Sequence, residues 1–367
     1  MVEMNSMVIQ ELYTKSNCHM RVLVNALLLS FSWMVLSCGN RSDRPDVSHI
    51  EIELPLVRFE QAYFAMDSND IQGSLQNIWK ADTGFTQLFV TQMLGLPPND
   101  SSEEVLSSHR RFLRDYRPLL SLSQEAVGDM KAIHADIISS LRRVKYYFPR
   151  YETPQRLYTF LGPLDAIAEG RTASYGDIIT TYGLAIGLQL HLGSDAPIYL
   201  SEMGQQLYPR YLSRRFDPST ITINCIKNVV DDLYAGRPDD QTLLDHIVDK
   251  GKRMYLLGLF LPDVPDSLRL GYTADQWEGA IEQEGLIWNH LVQNQLLYAS
   301  DMERIRTFLS EGPMTPELGS GSPGYLSLFV GQQLIHAYMK KHPETPLETL
   351  LEKSPRDILE GARYKPR

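Results

Sequence analysis

Cysteine is scarce in this chain: there are three in 367 residues, at positions 18, 38 and 225. The first two fall in or at the end of a segment that reads as removable, so one thiol remains for the body. That excludes an intramolecular disulfide framework and a cysteine-rich metal site. Basic runs are also missing. The net charge is −10, with no Lys/Arg-rich stretch, so nucleic acid is excluded as a partner class. None of the nine histidines is followed by glutamate. The H-E-x-x-H helix of zincin metalloproteases is therefore missing, with its two imidazoles on one face and its adjoining base. There is no G-x-S-x-G elbow and no Walker loop, and Gly319-Ser320-Gly321 reads as loop punctuation rather than a nucleotide site. No internal repeat or low-complexity tract follows residue 50. The expectation is a chain without cofactor, metal or established catalytic residue.

What is present is a long apolar, tyrosine-rich body. Hydrophobic residues make up 43% of the chain and tyrosines number 19, so a large core threaded by hydroxyl-centred polar networks is expected. The stretch Thr273 to Tyr298 reads as one long helix opened by a Thr273–Gln276 capping box. Trp277, Ile281, Glu284, Trp288, Leu291 and Gln295 recur at spacings of three and four, which assigns them to one core-facing stripe. Glu284 sits in the middle of it. A buried carboxylate needs a partner, a metal or a proton. The plain reading is pairing with a Lys, Arg or tyrosine hydroxyl; the sharper one is a ligand or catalytic carboxylate in a cleft.

The N-terminus carries a processing signal. A short basic start at Met20-Arg21 leads into the apolar run Val22 to Leu36, which is too short and interrupted for a membrane span. It ends Val35-Leu36-Ser37-Cys38-Gly39, a bacterial lipobox pattern. Residues 1–37 thus read as a signal peptide, with translation starting at Met20 or Met7. Cys38 is the expected site of lipidation, and residues 38–48 form a tether. Several acyl chains give stable attachment where one does not. Membrane contact through this lipid is the first partner expected.

Residues 49–367 read as a single α+β domain, predominantly helical with a few strands. Strands are expected at His49 to Leu54, at Arg156 to Leu161, and over Leu184 to Leu192, where leucine and isoleucine alternate for nine residues. His191 lies on the other face of that alternation and reads as a surface or hydrogen-bonding histidine. Helices are expected over Val57 to Met66, Ile71 to Lys80, Thr83 to Leu94, from a Ser101–Glu104 capping box, and over Ser123 to Tyr147. Further helices follow over Gln205 to Phe216, with Arg210, Arg214 and Arg215 as an exposed basic edge, and over Ser219 to Tyr234 after an Asp217-Pro218 start. The last are Asp239 to Leu261, Asp301 to Leu309, Gly324 to Lys341, and one from Pro355. Cys225, among Ile221, Ile223, Ile226 and Val229, reads as a small buried hydrophobe.

A strand and turn followed by a buried helix is the arrangement on which zincin sites are built. Here that helix offers Asn224, Asn228 and Asp231, at i, i+4 and i+7, with Lys227 beside Asp231. The stripe has the right spacing but the wrong donors, since asparagine is a poor zinc ligand. It reads either as a hydrogen-bonded network or as a degenerate cleft of Asn224, Asn228, Asp231 and Glu284 with zincin-like architecture.

An ordered series of short motifs runs through the C-terminal half. It comprises Gly251-Lys252-Arg253-Met254-Tyr255, Leu261-Pro262, Gly271-Tyr272-Thr273, Glu284 with Ile287-Trp288, and Leu297-Tyr298-Ala299-Ser300-Asp301. Ser322-Pro323-Gly324, Val330-Gly331-Gln332-Gln333 and His336-Ala337-Tyr338-Met339 complete it. The series resembles the gliding-motility lipoprotein GldB family of Bacteroidetes, over roughly Ile50 to Met339. The resemblance implies a lipoprotein of the cell envelope, related to zinc-protease-like proteins that have lost the metal motif, with no catalytic residue to carry over. The leading expectation is a non-enzymatic envelope lipoprotein on the periplasmic side of the outer membrane. It would support gliding motility, or the assembly and stability of envelope machinery, with machinery proteins as partners. The alternatives are an unorthodox zincin-type hydrolase and a periplasmic peptide-binding or chaperone module.

Overall fold

The computed structural model describes residues 44–98, 100–165, 173–174, 176–235, 242–319 and 322–366. The expected signal peptide and Cys38 lie outside them. The chain divides into two units, Met1–Asp46 and Val47–Arg367. Among the described residues, the sheet and all the helices belong to the second unit.

A small mixed sheet has the order β1-β2-β5-β4-β3. β1 (Leu56–Arg58) and β2 (Leu157–Phe160) are parallel, as are β2 and β5 (Gly183–Gly187). β4 (Asp177–Thr180) and β3 (Ala173–Ser174) extend it antiparallel. β2 and β5 are buried at every position, as strands covered on both faces must be. The strand expected at His49 to Leu54 is instead a turn and unpaired extended chain, and pairing starts beyond Pro55. The Pro55 carbonyl accepts from Leu157 N at 3.0 Å, and the missing proline donor falls just before β1, an edge strand, where proline is tolerated. The nine-residue alternation from Leu184 also covers less strand than expected. β5 ends at Gly187, and a 3₁₀ turn follows over Leu188–Leu190. Gly187 sits where a Cβ would lie 2.7 Å from the Gly176 carbonyl, and its N–H goes to the Asp177 side chain. The leucines stay buried through the turn, so the apolar pattern outlasts the strand.

Before the sheet come α1 (Phe59–Phe64), α2 (Ile71–Ala81) and α3 (Thr83–Leu88), the last running into a π-helical turn at Phe89–Met93. Phe59, Phe85 and Phe89 bring an aromatic cluster onto β2, with Phe85 stacked on Tyr158 at 4.1 Å. α4 (Glu103–Val127) is capped by Ser102, not Ser101. The helix expected from Ser123 to Tyr147 is divided: Gly128 and Met130 take positive φ, and α5 (Lys131–Tyr147) starts afresh. α6 (Pro197–Leu200) precedes the helix expected over Gln205 to Phe216, and that span is itself divided between the end of α7 (Glu202–Leu207) and α8 (Arg210–Ser213), with Pro209 at the break.

α9 (Ile221–Leu233) packs on β4 after the expected Asp217-Pro218 start. α10 (Leu243–Phe260) opens on a Thr242–Asp245 capping box. α11 (Asp266–Leu270), α12 (Ala274–Glu282), α13 (Glu284–Gln293) and α14 (Met302–Leu309) follow. α15 (Leu326–Lys341), α16 (Leu347–Glu352) and α17 (Pro355–Ala362) close the chain. α10 and α15 make the most extensive helix pairing. They cross backbone to backbone at Gly251 and Gly331, where a Cβ on either would overlap the other helix's main chain. Next to that crossing Lys252 is buried and donates to the Leu351 and Lys353 carbonyls at 2.8 and 2.7 Å, satisfying the C-terminal end of α16. Among the described residues no helix is long and apolar enough to cross a membrane.

The stretch from Thr273 to Tyr298 begins as expected, with Thr273 and Gln276 exchanging both capping-box bonds at 3.1 Å. It is not one helix. The chain leaves helical geometry at Gln283, between Gly279 and Gly285, and a second helix starts at Glu284. Ile281 and Gln295 of the expected stripe are exposed, while Ala280, Ile287 and Leu291 are buried.

Candidate functional site

Two polar regions meet on α9. The first is sealed. Asp177, fully buried at the start of β4, holds together three parts of the chain. Its carboxylate accepts from the Gly187 N–H at 3.1 Å, from His191 Nε2 at 2.8 and 3.0 Å, and from Asn224 Nδ2 at 3.1 Å. Its main-chain carbonyl accepts from Asn228 Nδ2 at 2.9 Å. His191 is thus the hydrogen-bonding histidine expected, but in the core and not at the surface. Cys225 is also fully buried, and burial, reinforced by the nearby Asp177 charge, pushes its thiol well above the usual range.

The second region is an open cleft between α9 and α10, with a cavity volume of about 160 Å³. Lys227 and Asp231 come from α9, and Lys250 and Arg253 from α10. Glu311, just past α14, and Tyr325, the residue before α15, complete the polar lining. A smaller hollow of about 20 Å³ adjoins it through Leu270, Glu311 and Tyr325. Arg253 is held by Asp231 and, at 3.0 Å, by Asp249; burial opposes its charge, but the two carboxylates raise its pKa above the ordinary value. Arg215 pairs with Glu311 at 2.5 Å. Burial pushes Glu311 up to about 7 and Arg215 down to about 10. Lys227 is pushed down to about 8 by burial and then by the Arg215 charge, against the opposing pull of Asp231. Arg214 donates to the Gly271 carbonyl at 2.8 Å and to Gln276 at 3.1 Å. Of the expected exposed basic edge, only Arg210 is at the surface, paired with Asp195. Tyr325 occupies the left-handed region at φ 58°, uncommon outside glycine.

The four residues expected to share one cleft have three settings. Asn224 and Asn228 are in the sealed knot. Asp231, one turn further along the same stripe, reaches out to Arg253 in the open cleft. Glu284 accepts from the Tyr364 hydroxyl beyond α17, where Trp288 also meets the Tyr364 ring edge-on at 4.9 Å. Burial and this bond raise the Tyr364 pKa. Asp177, Lys250, Glu311 and Tyr325 carry no local pattern that marks them; Arg253 was visible only within the Gly251–Tyr255 motif, and Lys227 only as a neighbour of Asp231. The glycines at 319, 321 and 324 do have the G-x-G-x-x-G spacing and precede α15, but a 3₁₀ turn at Pro316–Leu318 leads into them instead of a strand. The dinucleotide fingerprint needs the strand.

The family model for the gliding motility protein GldB matches residues 40–366, nearly the whole chain. The chain belongs to the GldB family. Membership ties it to gliding-motility proteins designated as lipoproteins of the cell envelope. Neither the curated proteins nor the solved structures contain a match to it.

Proposed function

We propose that this GldB-family chain is a lipid-anchored protein on the periplasmic face of the outer membrane, held there by acylated Cys38. It supports gliding motility by stabilising or helping to assemble envelope machinery, and catalyses no reaction itself. The observation that carries this reading is the use to which the polar stripe is put. Asn224 and Asn228 are spent on Asp177, Asp231 on Arg253, and Glu284 on Tyr364. Each is an internal tie of the kind that fixes a unique core. One observation supports a second reading, a hydrolase of zincin ancestry: the polar-striped helix α9 packs against strand β4 of the sheet.

The test is complementation of a deletion strain, read as motility and as the amount of machinery proteins retained in the envelope. The wild-type and Glu284→Gln chains should both restore them, and Cys38→Ser should not. Stoichiometric zinc in the purified protein, with a hydrolytic activity lost in Glu284→Gln, would overturn the proposal in favour of the second reading.

A further inference from the structure

The open cleft has a composition that the fold does not require. Its floor is apolar, made by Met254 and Leu257 of α10, Leu270 of α11 and Leu328 of α15. Its lip carries Lys227 and Lys250, both only partly exposed. Neither lysine makes a hydrogen bond or ion pair among the described residues, whereas Arg253 is bound by two carboxylates and Arg215 by Glu311. Two ammonium groups held beside an apolar wall cost free energy that an anion at the same place would offset. In a chain of net charge −10 this local surplus of positive charge is selective: it attracts an anion where the rest of the surface repels one.

Size and charge restrict what fits. A cavity of about 160 Å³ is close to the volume of engineered cavities that take up a benzene-sized molecule, and falls short of the roughly 300 Å³ at which small-molecule pockets begin. It accommodates one aliphatic side chain, with the remainder of the ligand outside. The anion is best matched by a single charge. Asp231 and Glu311 line the same cleft and oppose a doubly charged phosphate, and the guanidinium forks that suit phosphate are already engaged. An aliphatic side chain beside a single negative charge describes the last residue of a polypeptide.

We propose that the cleft between α9, α10 and α15 binds the C-terminal residue of an envelope partner protein, its aliphatic side chain in the cavity and its free carboxylate on Lys227 and Lys250. The proposal rests on the reading of the chain as a support for envelope machinery and gives that support a chemical address.

The experiment uses the full acylated protein in detergent micelles and the peptide N-acetyl-Gly-Gly-Leu, as the free acid and as the C-terminal amide, followed by titration calorimetry. The acid should bind roughly tenfold or more tightly than the amide. The Lys227→Met, Lys250→Met double variant, shown to be folded by its circular dichroism melt, should lose that preference. Equal binding of acid and amide, or binding of neither, overturns the proposal on the unsubstituted protein, whatever the variant does. Displacement of the peptide by hexanoate or inorganic phosphate at the same concentration overturns it in favour of a metabolite or general anion site. A failure in these titrations leaves the machinery reading intact. Unchanged motility and envelope composition in a deletion strain would remove that reading while leaving the binding result standing.

Discussion

One helix supplies both the sealed knot and the open cleft, and its neighbours decide which side chain does what. Asn224 and Asn228 lie where β4 covers α9, and there each amide nitrogen donates to Asp177. Asp231 shares their stripe, but its side chain is 39% exposed and finds Arg253 on another helix. Polar residues at helical spacing are therefore not one site. Covered by a sheet they cross-link the core; beyond its edge they line a groove that solvent and ligands reach.

Five substitutions test that contrast. The largest effect belongs to Asp177→Ala. It leaves His191, Asn224 and the Gly187 N–H without their acceptor in a dry interior, and unfolding in urea should show a loss of about 3–5 kcal/mol. A loss below about 1 kcal/mol would mean that the knot is not cohesive.

Asn224→Ala removes one hydrogen bond to a buried carboxylate and should cost about 1.5–3 kcal/mol. Asp231→Ala, in the cleft, should cost under about 1 kcal/mol, because Arg253 keeps Asp249 and water reaches the gap. Equal costs for the two would erase the distinction.

Lys227→Met should stabilise the protein by about 1–2 kcal/mol at neutral pH, since the native state holds this amine below its ordinary pKa. The sign follows from protons bound. Between about 8 and the unfolded value of 10.5 the unfolded wild-type chain binds more protons at this position than the native one, so wild-type stability rises with pH across that window. The gain from Lys227→Met should shrink over the same window. Arg215, Asp231, Lys250, Arg253 and Glu311 face the same cleft, so the comparison is between the two melting curves at each pH. A gain independent of pH would locate the effect in packing.

The smallest effect is expected of Glu284→Gln. The amide oxygen still accepts from Tyr364, so thermal unfolding should change by less than about 1 kcal/mol.

Local signals were legible in the sequence wherever their physics is local. The Thr273–Gln276 cap, the Asp217-Pro218 start and the apolar spacing of α2, α10 and α15 all depend on residues within a turn or two of each other. The break at Gln283 was not legible, because either geometry keeps the tryptophans on a plausible stripe. Nor was the end of β5 at Gly187, since leucines buried in a turn look like leucines buried in a strand. Of the functional residues, Asn224 and Asn228 stood out by spacing. Their acceptor, Asp177, lies 47 residues upstream of Asn224 and is an ordinary aspartate in sequence. Lys250 reads as a surface charge until α9 is set beside it. Only the fold shows what each polar group meets.

The glycine crossing of α10 and α15 has a consequence for motion. Gly251 lies between Lys250, on the lip of the cleft, and Lys252, buried against the end of α16. With no side chain between the two backbones, α10 cannot slide or roll without a collision of main chains. Amide protons around Gly251 and Gly331 should be among the last to exchange with deuterium, leaving only the long side chains free to adjust to whatever enters the cleft.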